Sequence, residues 1–261
     1  VQRPETDTIA LDSARDMVKD ELGNILLRPG GHGALIYNLN EIDANLIFIK
    51  NIDNVVKESV QEMQSKWEQL LGGYLVKLSK KIFHFQRQVD EGIYSDEAMS
   101  FLSDTFGYVN LNESNLKELL FRPIRVCGMV INQGQPGGGP FYVKDKNTGT
   151  SLQIVEAAEL DKTNSDHIKA LEMATHFNPV DIVCAIKNYK SEKYDLSEFI
   201  DKDSFFTSVK NHKGKEIKIL ELPGLWNGAM ANWNSVFVEV PADTFNPVKT
   251  VNDLLKESHQ N

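Results

Sequence analysis

Cysteine is scarce in this chain: Cys127 and Cys184 are the only two among 261 residues, each inside an apolar run. Two isolated cysteines exclude a disulfide framework and a cysteine-rich zinc site; they read as buried thiols of a cytoplasmic protein. Long apolar runs are missing too. No stretch approaches the roughly 18–20 apolar residues that span a bilayer, and no signal peptide is visible. Positive charge is in deficit, with 28 Lys and Arg against 37 Asp and Glu and a formal net charge of -9. That balance argues against a general nucleic-acid or anionic-membrane binder, while leaving room for a local basic site. There is no internal repeat and no low-complexity tract. The chain also lacks an initiating methionine, and residues 2–10 read as the interior of a domain. The expectation is that an N-terminal portion of the same chain is missing.

What is present suits one large α/β domain or two small ones: the sequence is 41% hydrophobic and 25% charged. Ile25 to Leu27 and the apolar run Leu46 to Lys50 read as short strands, with a helix over Ala34 to Ile42 between them. Val56, Val60, Met63, Trp67, Leu70, Tyr74, Leu78, Ile82, Phe85 and Val89 then step by three or four, the spacing of an apolar helical stripe. Gly72-Gly73 predicts a break or kink within it. Two further helices are predicted within Asp96–Phe106 and Glu113–Phe121. After Pro123 the pattern turns to strands at 126–131, 141–143, 151–155, 180–186, 217–222 and 236–240, with helices at 167–175 and 251–258. The fold class is therefore α/β, a mixed sheet flanked by helices. The core comprises residues 1–54 and 122–261, and residues 55–121 form a helical insertion.

Three short motifs carry chemistry. Pro29-Gly30-Gly31-His32-Gly33 is a glycine-rich loop opening a helix, where unpaired backbone amides meet an anion and glycine lets the backbone approach. His32 within it has no neighbouring side chain to pack on, and it can donate to a phosphate or a sugar hydroxyl. Asn51-Ile52-Asp53-Asn54 ends a buried strand. A carboxylate there can hold Mg²⁺ beside substrate phosphates, or can serve simply as a turn or N-cap residue. Lys249, in Phe245-Asn246-Pro247-Val248-Lys249-Thr250, is either a surface charge or a phosphate-neutralising lysine. The glycine-rich 135–140 loop lies between strands and reads as a hairpin-like connection or flexible lid, or as a phosphate nest.

The order and content of these motifs resemble the UDP-sugar pyrophosphorylases, especially the UDP-glucose enzymes. The resemblance covers residues 2–54 and 125–255. It includes Leu152 to Leu160, His176-Phe177-Asn178, Ile219 to Leu222 and Trp226 to Met230. More closely still, the chain resembles the C-terminal portion of a longer bacterial family of unknown function. The resemblance implies a nucleotide-diphospho-sugar transferase-like (GT-A-like) fold lacking its N-terminal nucleotide loop. The implied activity is that of a nucleotidyltransferase, joining a sugar 1-phosphate to a nucleoside triphosphate with release of pyrophosphate. It further implies Lys249, His32 and Asp53 as catalytic residues, with Mg²⁺ on Asp53. Gln2, Gly31, Gly33, Asn54, Glu156 and Asn178 are implied as substrate-binding. The alternative is an inactive module that binds a nucleotide sugar or a partner. No nucleic acid or membrane partner is implied.

Overall fold

The computed structural model describes the chain except Ile52, Asp53, Val55, Gln135, Pro136, residues 146–148, Lys249 and Asn261, and leaves out the side chains of Asp145, Asn178 and Pro179. In chain order its elements begin with β1 (Thr8–Leu11), β2 (Leu27–Arg28), α1 (Leu35–Leu39), β3 (Ile47–Lys50) and α2 (Glu58–Asp90). There follow α3 (Asp96–Phe106), α4 (Glu113–Leu120), β4 (Ile124–Ile131), β5 (Gly138–Asp145) and β6 (Gly149–Glu156). The chain then runs through α5 (Ser165–Glu172), β7 (His176–Ala185), β8 (Phe206–His212), β9 (Lys215–Glu221) and β10 (Asn234–Glu239). The architecture is mixed α/β. Among the described residues, no helix is long and apolar enough to cross a membrane.

Two compact units divide the chain. The first comprises Val1–Asp43, Ile154–Asp161 and Asp195–Asn232. Its sheet has the order β2-β1-β9-β8, antiparallel at each pairing. Ala10, Ile217 and Ile219 form a small core on one face, joined by Val18 and Leu26. β8 and β9 make a hairpin that pairs His212 with Lys215. Both residues between them, Lys213 and Gly214, have positive φ, as a tight hairpin turn requires. Sequence periodicity does not reveal β8 because no side chain on it is fully buried, so the alternation that marks a half-buried strand is missing. The helix expected from Ala34 to Ile42 is shorter, a 3₁₀ turn at His32–Ala34 running into α1.

The second unit comprises Ala44–Gln153, Lys162–Tyr194 and Trp233–Asn261. Its sheet has the order β10-β4-β7-β3. β10 runs parallel to β4, and the other pairings are antiparallel. Leu71, Leu75, Leu78, Ile82 and Phe85 of α2 share one core with Val126, Val183 and Val236 of the sheet, and α3 and α4 add Leu102, Phe106, Leu116 and Leu119. The ends of α3 follow from its sequence. The Ser95 hydroxyl accepts from the Ala98 amide, and Gly107 closes the helix in the left-handed conformation.

Two sequence expectations need correction here. α2 runs unbroken for 33 residues through Gly72-Gly73. Gly72 serves packing, since a Cβ there would come within 3.0 Å of Phe48 Cζ. The helix expected at 251–258 is instead two 3₁₀ turns, Val251–Leu255 and Glu257–His259. Val251 and Leu255 are exposed, so no buried apolar face holds an α-helix that short.

Candidate functional site

The first unit gathers several predicted residues. β9 ends at Glu221, and the Leu222 amide donates to the Gly30 carbonyl at 2.8 Å, tying the glycine loop to the strand end. Gly31 sits at φ +81°, and a Cβ on Gly33 would run into the Pro223 carbonyl, so both loop positions need glycine. The loop delivers His32 onto Trp226, ring centroids 4.5 Å apart and planes 20° from parallel. His32 Nδ1 accepts the Leu225 backbone N–H at 3.0 Å. That bond leaves the proton of the neutral ring on Nε2. Nε2 lies 3.6 Å from Glu156 Oε1, too far for a direct hydrogen bond.

Two carboxylates, Glu156 and Glu221, lie near this histidine, and Glu159 lies beside Glu156. Burial raises Glu156 above the ordinary carboxyl range, opposed by a hydrogen bond from Trp226 and reinforced by the Glu221 charge. Burial likewise raises Glu159, opposed by the Glu156 backbone N–H, which donates to Glu159 Oε2 at 2.8 Å. The His32 pKa moves down, because burial disfavours the imidazolium more than the Glu221 charge favours it. A neutral N–H donor thus faces a carboxylate acceptor across a gap. No atom fits between them at 3.6 Å, but a hydroxyl placed alongside can accept from Nε2 and donate to Glu156. A phosphate dianion can only accept, and Glu156, Glu159 and Glu221 would repel it.

Gln2, Gly31, Gly33, His32 and Glu156 belong to this first unit. In the second unit, Asn54 is 2% exposed. Its side-chain nitrogen donates to the Thr244 carbonyl at 2.9 Å, and its side-chain oxygen accepts from the Asn246 amide. Two motifs far apart in sequence therefore meet through this asparagine. Asp53 and Lys249 lie outside the described residues, as does the side chain of Asn178 and the start of the 135–140 loop. Among the described residues, no group of three or more His, Cys, Asp or Glu side chains could cage a metal ion.

Sequence reasoning assigned no role to Trp226, Glu159 or Glu221, although all three lie in segments that carry the resemblance. The signal available for Trp226 was a large aromatic between the glycines of the Gly224-to-Gly228 turn.

The family described as "Domain of unknown function (DUF4301)" matches residues 1–260, so the chain belongs to that family. No curated protein matches it. Among solved structures it is similar to a UDP-glucose phosphorylase from Trypanosoma brucei, at 17% identity and TM-score 0.47, covering 95% of this chain and 45% of that one. It is also similar to a mutant UDP-glucose pyrophosphorylase from Leishmania major in complex with UDP-glucose, at 16% identity and TM-score 0.46, covering 95% and 46%. The chain thus spans about half the length of these solved chains.

Proposed function

We propose that this family member supplies the sugar-binding side of a nucleotidyltransferase that joins a sugar 1-phosphate to a nucleoside triphosphate. The single observation that carries the reading is the neighbouring pair of a neutral His32 Nε2–H donor and a Glu156 carboxylate acceptor, 3.6 Å apart, which one sugar hydroxyl placed alongside can bridge. The ordered motifs support it: the glycine loop, the Asn51-to-Asn54 segment and the segment ending in Lys249 occur in the sequence order of the UDP-sugar enzymes.

In this reaction a phosphate oxygen of the sugar phosphate attacks the α-phosphorus of the triphosphate. The new P–O bond forms as the bond to the β-phosphate oxygen breaks, and pyrophosphate leaves with the electron pair. The nucleophile is already ionised, so the protein's task is positioning and charge neutralisation rather than base catalysis. In this proposal Lys249 neutralises phosphate oxygens as a point charge. His32 and Glu156 hold a sugar hydroxyl, Gly31 and Gly33 let the backbone approach, and Asn178 reads sugar hydroxyls with Glu156; Asn54, whose side-chain amide is bound to the Thr244 carbonyl and the Asn246 N–H, acts by fixing its segment rather than by touching substrate. Gln2 meets the nucleobase. A magnesium ion would supply charge neutralisation between the two polyanions. It commonly takes one or two carboxylates plus substrate phosphates and needs no protein cage, and Asp53 is the carboxylate proposed for it.

The test is a pyrophosphate-release screen of the full-length protein with several nucleoside triphosphates and sugar phosphates plus Mg²⁺. Turnover with at least one pair is expected. Lys249→Ala should lower kcat by about 10²-fold or more, and His32→Ala should lower kcat/KM by about 10-fold or more, the worth of one buried hydrogen bond. Affinity for a nucleotide sugar without turnover would replace the enzyme by a binding module. Neither turnover nor affinity would end both readings.

A further inference from the structure

The charges acting at the His32–Glu156 pair are of one sign. Glu156 Oε1 lies 3.6 Å from His32 Nε2, and Glu159 sits beside it, its Oε2 on the Glu156 backbone N–H at 2.8 Å. Glu221 reaches the same loop: a Cβ on Gly31, the residue before His32, would stand 3.0 Å from Glu221 Oε2. The charge that acts on Glu156 is Glu221, and those that act on Glu159 are Glu156 and Asp201. His32 offsets none of them, since burial favours its neutral form. Lys210 does so only in part. Its Nζ is 3.5 Å from Glu221 Oε1, on a side chain 54% exposed, and that is longer than a direct hydrogen bond. Glu156 and Glu159 are desolvated, so a further charge brought alongside them is weakly screened.

We propose that these carboxylates filter the sugar by charge, with Glu221 as the specificity-determining residue: sugars bearing an ammonium bind best, neutral sugars next, and uronates are rejected. The proposal rests on the reading of His32 and Glu156 as holders of a sugar hydroxyl. Within that reading Glu156 is engaged by the hydroxyl and Glu159 by the Glu156 N–H. Glu221 is left to act on the rest of the sugar, with Lys210 beside it as a partial mask. No contact between Glu221 and the sugar is needed, because Coulomb energy acts over several ångströms in a partly buried site. Such selection works chiefly by repelling the wrong partner.

The test uses three probes that differ only at carbon 6: glucose 1-phosphate, 6-amino-6-deoxyglucose 1-phosphate and glucuronate 1-phosphate. Each is titrated into the full-length protein by calorimetry at pH 7.5 and low salt. Affinity should fall in the order amine, glucose, uronate, with the two ends about 10-fold or more apart. Glu221→Gln should shrink that span by about threefold or more. Lys210→Met, which unmasks Glu221, should widen it, so the two variants move the span in opposite directions. Circular dichroism verifies the fold of each. A uronate that binds as tightly as the amine, or a span that both variants leave unmoved, would overturn the filter and leave the sugar-binding reading standing. Binding of none of the three probes, or binding that His32→Ala does not weaken, would overturn the sugar-binding reading and the filter with it.

Discussion

The side-chain oxygen of Asn54 accepts the backbone N–H of Asn246 at 2.5 Å, a bond between residues 192 positions apart. With the Asn54 side-chain nitrogen on the Thr244 carbonyl, one buried amide clasps the segment after β3 to the segment after β10. Asn54→Ala should destabilise the chain by about 1–3 kcal/mol, the cost of buried groups left unpaired. Asn54→Asp would set a buried carboxylate oxygen against the Thr244 carbonyl, so at neutral pH it should be at least as destabilising as alanine. Urea unfolding with an unchanged m-value checks this, and an alanine variant as stable as wild type would refute the clasp.

The Leu225 N–H on His32 Nδ1 makes a spectroscopic prediction. Neutral His32 should be the Nε2–H tautomer, visible in ¹⁵N shifts of the imidazole. Because burial lowers its pKa, its titration midpoint should fall below the ordinary value of about 6.5. The folded state then resists a proton that the unfolded chain takes up, so this group's contribution to stability is lost as pH falls through 6.5 and below. A ring protonated on Nδ1 at neutral pH would contradict the geometry.

Glu159 behaves with the opposite sign. Its folded pKa is raised, chiefly by burial, so stabilisation is full below the unfolded value and is lost as pH rises through the folded one. Glu159→Gln removes the charge and keeps an acceptor for the Glu156 N–H. Its melting temperature should exceed wild type at pH 7.5, and the gain should vanish toward pH 4, where wild type is protonated as well. His32 is present in both proteins and cancels. A gain that does not change with pH would count against burial as the cause.

The two central glycines of α2 should respond differently to alanine. A Cβ on Gly73 meets nothing within 4 Å, whereas one on Gly72 comes within 3.0 Å of Phe48 Cζ. Gly73→Ala should therefore stabilise by about 0.5–1 kcal/mol, the helix-propensity difference. Gly72→Ala should gain less, since the Phe48 ring must first give way. Chemical denaturation of both variants measures the order, and a larger gain at 72 would show that Phe48 does not pack as described.

Much of the second unit was legible from the sequence. The stripe from Val60 to Val89, the helices within Asp96–Phe106 and Glu113–Phe121, and the apolar runs of β4 and β7 are local signals, because helix and strand periods repeat along the chain. The persistence of α2 through Gly72-Gly73 was not legible, since the reason sits on β3. β8 was silent for a related cause: with no side chain fully buried, it is a strand only because β9 offers it hydrogen bonds.

The same division runs through the candidate site. Composition and order alone marked His32 as a ligand candidate, since a histidine flanked by glycines has no neighbour of its own to pack on. They could not pair it with Trp226 or Glu156, nor say which ring nitrogen carries the proton. Stacking, desolvation and hydrogen-bond direction act through space over a few ångströms. Only the folded chain decides which residues, distant in sequence, come within that reach.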